Sequence, residues 1–172
     1  MKITKLTEEL SNMGKSNKEM QRLISIAEAD ALWKTLVSRY DALNITNILL
    51  MLVKDEDLKM IIKEGIQILN KEVSILEKHM KNFNIPMPNK PPEQANIALD
   101  INAITDMTIY RDVYNGMAAT LQLHTLNFAV SKSSTLRESF RKLLIIEMDL
   151  FDKYVEYGKQ KGYMHEEPSF RS

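Results

Sequence analysis

Apolar side chains recur along this chain in alternating steps of three and four, the spacing that gathers them on one stripe of an α-helix. Ala29, Trp33, Leu36, Tyr40, Leu43, Asn47 and Leu50 form the first such line. They predict a helix from about Ser25 to Val53, with Ser25 as N-cap and Glu28 three residues on, the spacing of a capping box. The second line is the most regular: Ile62, Ile66, Leu69, Val73, Leu76, Met80 and Phe83. It predicts a helix from about Glu56 to Phe83 behind an Asp55 N-cap. That helix must stop at NFNIPMPNKPP, because proline disfavours helix at the residue before it and cannot donate the next hydrogen bond. A third helix, from about Ala103 to Val130, carries Tyr110, Tyr114, Met117, Leu121, His124 and Phe128 on one line. A fourth runs from about Ser134 to Gly158 or beyond, with Leu136, Phe140, Leu143, Glu147, Leu150, Tyr154 and Tyr157 in register and Gly162 placed to close it. Residues 1–24 are polar and read as a loose N-terminal arm, with at most one helical turn near Leu6 and Leu10. Residues 25–172 read as a helical bundle ending in an extended tail whose aromatic residues can fold back.

The connections set the expected topology. Short turns at Val53–Leu58 and Ser131–Thr135 make the first and second, and the third and fourth, helices antiparallel neighbours. The middle connection holds about nineteen residues, which reach roughly 60 Å when extended, against about 42 Å for a helix of about 28 residues. It is long enough to cross the whole bundle and start the third helix at the far end. The predicted fold is therefore all-α: a ferritin-like four-helix bundle with a long crossover between the second and third helices. A simple up-and-down bundle with a slack loop also fits the arithmetic.

Composition narrows the function. With 172 residues, 44% apolar and 27% charged, the chain has ordinary globular composition and enough length for one core. Its 23 basic and 23 acidic side chains cancel, and no basic stripe interrupts the helices, so nucleic acid is not an expected partner. The absence of cysteine removes disulfides, thiolate metal sites and a cysteine nucleophile. No apolar run is long enough to span a membrane. The first twenty residues make a poor signal peptide, so the expected residence is the cytoplasm.

Candidate chemistry lies in the polar residues that interrupt the apolar lines. Glu147 stands among Phe140, Leu143, Leu150 and Tyr154, and His124 among Met117, Leu121 and Phe128. Glu72 and His79 border the second line. A carboxylate in such a place binds a cation, pairs with a hydrogen-bonding group, or takes up a proton. Facing helices can bring Glu72, His124 and Glu147 together as a site for Fe, Mn or Zn. Against that, a dinuclear ferritin-type centre uses Glu-x-x-His pairs, and the chain contains none. The same residues can instead satisfy one another as a buried network that fixes helix register. A small-molecule pocket between the second and fourth helices is a further reading, and one that a packed interior would remove. No phosphate loop, nucleophile elbow or zinc-protease motif is present, nothing positions a Ser-His-Asp triad, and no motif calls for a resident cofactor.

The tryptophan in EADALWKTL, the VKDEDLKMII turn, the FNIPMP ending of the second helix and the final KQKGYMHEEPSF together resemble a ferritin-like family from spore-forming relatives of Bacillus. Its members carry the label of spore coat proteins and are similar to spore coat protein F. The resemblance covers about residues 25–170. It implies a ferritin-type bundle and a non-enzymatic structural or assembly role in the spore coat. The chain would be made in the mother-cell cytoplasm and would associate with itself or with other coat proteins. Where that family commonly has a histidine, this chain has Glu72.

Overall fold

The computed structural model describes residues 2–92, 104–165 and 170. Six helices are present among them: α1 Lys2–Asn12, α2 Asn17–Leu23, α3 Ile26–Leu52, α4 Glu56–Asn82, α5 Asp106–Val130 and α6 Ser134–Lys161. No strand occurs among the described residues. The four long helices match the four apolar lines. The third begins at Asp106 behind a Thr105 N-cap, and the expected start at Ala103 lies outside the described residues. Where the sequence suggested a loose arm, α1 and α2 form two short helices, the second opened by a Ser16–Glu19 capping box.

The caps are local chemistry that the sequence already carries. Ser25 and Glu28 form the reciprocal capping box of α3, and the Asp55 carboxylate accepts from the Leu58 N–H at the start of α4. Helix α4 ends two residues before Asn84, which takes a left-handed φ of 50° and lets the Ile85 N–H reach the Met80 carbonyl. Gly162 closes α6 in the same way at φ 66°.

Hydrogen bonds between helix ends fix the helix directions. The Asp106 carboxylate accepts from the backbone N–H groups of Lys54 and Asp55 at 2.8 and 3.1 Å, so α5 starts beside the α3–α4 turn. Lys161, at the end of α6, reaches Asp55 at 2.7 Å at that same end. At the opposite end Glu28 accepts from the N–H groups of Lys132 and Ser133 at 2.7 and 2.8 Å, and Gln21 donates to the Asn84 carbonyl at 2.8 Å. Helix α4 thus finishes at one end and α5 begins at the other, the arrangement that the crossover requires. The connection starts back along the bundle: Lys90 pairs with Glu77 at 3.1 Å and lies over the Tyr40 ring. Helices α3 and α4, α5 and α6, α3 and α5, and α4 and α6 are the packed neighbours, and α1 lies on α6.

Two apolar clusters fill the interior. The lower one gathers Leu32, Leu36, Leu76, Met80, Phe140 and Leu143. The upper one gathers Leu58, Ile62, Ile109, Tyr110, Leu150 and Tyr154. Tyr110 stacks on Tyr154 with ring centroids 4.7 Å apart and planes within 6°. Gly158 is demanded there, because a Cβ at that position would overlap the Tyr110 ring and hydroxyl. Tyr163, the first aromatic of the tail, folds back onto Tyr110 and Tyr157, as the sequence suggested.

Three sequence expectations need correcting. Trp33, assigned to the seam, is 42% exposed, and Asn47 is exposed as well. The buried stripe of α3 instead runs through Leu32, Thr35, Leu36, Arg39, Tyr40 and Thr46. The N-terminal segment is not loose at Glu8, whose carboxylate accepts from the hydroxyls of Ser133 and Ser134 and from the N–H groups of Ser134 and Thr135, docking α1 on the start of α6. Burial alone would raise the Glu8 pKa, but these bonds hold it below the usual carboxylate value.

Candidate functional site

Between the two apolar clusters lies a layer of charge. Each long helix contributes at the point where its apolar line is interrupted: Arg39 from α3, Glu72 from α4, Thr120 and His124 from α5, and Glu147 from α6. All five are buried, with Glu72 at 1% exposure, His124 at 0% and Glu147 at 4%. The three residues singled out from the sequence therefore do point inward from three different helices.

The geometry within the layer is specific. Arg39 Nη1 stands 3.3 Å from Glu72 Oε2, and Arg39 Nη2 donates to Thr120 Oγ1 at 2.7 Å and to Ser38 Oγ at 3.2 Å. Thr120 passes its own proton to the Gly116 carbonyl at 2.9 Å. The second Glu72 oxygen faces His124 Nε2 at 3.4 Å, outside hydrogen-bonding geometry. Glu72 thus lies between a guanidinium and an imidazole. A step away, Asn127 donates to Thr35 Oγ1 at 2.6 Å, and Thr35 donates to the Ala31 carbonyl.

Glu147 is placed differently. No hydrogen bond reaches it from the described residues, and its carboxyl is pushed up to about 7. Burial is the main cause, the Glu72 carboxylate adds to it, and Arg39 opposes both. With Glu147 protonated, the positive charge of Arg39 and the negative charge of Glu72 cancel within the layer.

Among the described residues no three His, Cys, Asp or Glu side chains stand close enough together to hold one ion. The counter-charge for Glu72 is the guanidinium of Arg39. Sequence reasoning passed over Arg39 because an arginine on a helix is normally an exposed, solvated residue. The available signal was electrostatic: a carboxylate on an interior line that stays ionised needs a counter-charge, and Arg39 is the basic residue near the middle of the first long helix.

A cavity of about 470 Å³ opens beside this layer. Its exposed lip is formed by Asp41 and Ile45 of α3 and by Asp112, Gly116 and Ala119 of α5, so it opens between the first and third long helices, not the second and fourth. Its floor includes Glu147, Leu150 and Tyr154 of α6. Small residues explain the gap: Ala42, Gly65, Gly116 and Ala119 line it and leave the helices incompletely filled.

These features define an all-helical bundle with a buried charged layer. Residues 11–172 match the family described as protein of unknown function DUF3231, and the chain belongs to that family. No protein of curated description matches it. In architecture it is similar to the crystal structure of a "putative spore coat protein" from Bacillus halodurans C-125, with a TM-score of 0.78 and 21% identity over 86% of this chain and 96% of that one. No helix among the described residues is long and apolar enough to cross a membrane.

Proposed function

We propose that this chain is a non-enzymatic structural or assembly protein of the bacterial spore coat, a ferritin-like four-helix bundle similar to spore coat protein F. The observation that carries the reading is Arg39. Its guanidinium supplies, from within the chain, the cation that a metal-using bundle of this topology takes from solution. The charged layer then serves to fix the register of four helices, and the end-to-end crossover supports the ferritin-type topology. The architectural likeness to the Bacillus halodurans protein supports the coat assignment. On this reading the protein is made in the mother-cell cytoplasm and carried to the coat. There it presents its faces to other copies or to other coat proteins; exposed apolar side chains such as Trp33, Leu126 and Ile145 suit that use.

Two measurements test the proposal. Immunoblotting of coat extracts from purified spores should detect the chain there, and its confinement to vegetative lysate would remove the coat role. Light scattering of the purified protein should show a dimer or a larger species; a monomer at high concentration argues against self-association.

A rival reading is a metal-binding protein or metal-dependent oxidoreductase using Glu72, His124 and Glu147 with Fe, Mn or Zn. What favours it is that Glu72 Oε1 and both ring nitrogens of His124 are buried without a hydrogen-bond partner. Arg39 holds the other Glu72 oxygen, Oε2, and metal analysis of the purified protein decides between the readings.

A further inference from the structure

We propose that the cavity between α3 and α5 is a binding site for a small apolar amine, with its hydrocarbon body against the cavity walls and its ammonium group at the Glu147 carboxylate. The volume of about 470 Å³ falls in the range of small-molecule sites. Its walls are mostly apolar, with Ile45 and Leu49 from α3, Ile62 from α4 and Val113, Met117 and Leu123 from α5. Glu147 lines the floor, is only 4% exposed, and has no hydrogen-bond partner among the described residues. Tyr154 lines the same floor, with its hydroxyl buried and unpartnered. An ammonium has three N–H donors, and the Glu147 carboxylate is an acceptor to which no side chain of the described residues donates.

The sign of the ligand charge follows from the lining. Asp41 and Asp112 stand exposed at the lip, and Glu147 lies at the floor. Arg39 is the cationic side chain in the lining; its two terminal nitrogens are committed to Glu72, Thr120 and Ser38, and its buried Nε is the one donor left over. An anionic ligand would therefore face three carboxyl groups, whereas a cationic one would be drawn in by the rim and neutralised at the floor. The inference is independent of the coat role.

Calorimetric titration at pH 8 with three ligands of equal chain length, n-octylammonium, 1-octanol and octanoate, tests it on the full chain. Saturable binding of octylammonium is expected, about tenfold or more tighter than 1-octanol, with no binding of octanoate. Glu147→Gln should bring octylammonium down to the level of the alcohol. Gly116→Leu should weaken both, and it should fold, because a Cβ at that position meets nothing within 4 Å and leucine favours helix over glycine. Octanoate binding as tightly as the amine would overturn the proposal. So would amine affinity unchanged by Glu147→Gln, or no saturable amine binding by the folded wild-type protein.

Discussion

The buried carboxyl of Glu147 makes a pH-dependent statement about stability that a single substitution isolates. In the folded chain its pKa rises from an ordinary 4.5 to about 7. Between those values the folded state binds more protons than the unfolded state, so stability falls as pH rises. Below about 4.5 both states are protonated and the effect vanishes; above about 7 both are ionised and the loss is complete. Each pKa unit is worth about 1.4 kcal/mol, so the full loss is about 3 kcal/mol. Glutamine keeps the shape of the protonated acid but cannot ionise. Glu147→Gln should therefore resemble wild type near pH 4 and be more stable by about 3 kcal/mol near pH 8. Urea unfolding followed by far-UV circular dichroism at several pH values supplies both curves. Their difference removes the opposite slope contributed by Glu8, Glu28 and Glu77, whose pKa values are lowered in the folded state. A difference that stays flat from pH 4 to 8, or that favours wild type at high pH, would refute the placement of Glu147 as an unpaired buried acid.

Other substitutions probe the same structure. Arg39→Met strands Glu72 in the interior and should cost about 3–5 kcal/mol in denaturant unfolding, with Glu72→Gln in the same chain recovering a good part of it. Full stability in the single variant would contradict the buried pair. Gly158→Ala forces a methyl group into the Tyr110 ring. It should destabilise by about 1–3 kcal/mol or more, and a shortened side chain, Tyr110→Leu, should relieve part of that. Glu8→Ala removes the contact holding α1 to the start of α6. Limited proteolysis near Gly14 should accelerate while the main unfolding transition stays nearly in place, since none of the described side chains of α1 belongs to either apolar cluster.

What could be read from the sequence depended on whether the determinant was local. Ser25 with Glu28, Asp55 and Gly162 each act within a few residues, and each caps the helix that its position implied. Glu72, His124 and Glu147 were legible as interior because α4, α5 and α6 carry regular apolar lines that they interrupt. Helix α3 was less legible. Apolar residues surround much of its circumference, so Trp33 drew the seam off the stripe that contains Arg39. The docking of α1 through Glu8 pairs residues more than a hundred positions apart, and no periodicity within a polar segment encodes that contact. The cavity was also invisible, because it arises where small side chains from different helices coincide.

On the proposed reading Arg39 is the counter-charge of Glu72 and the interior needs no metal ion, so the metal content of the purified protein is the first quantity to measure. Protein purified without chelator should carry well under one equivalent of Fe, Mn or Zn, and Glu147→Leu should fold with equal or greater stability at neutral pH. About one equivalent of a single metal in wild type, lost in Glu147→Leu, would contradict the account and make the charged layer a metal site.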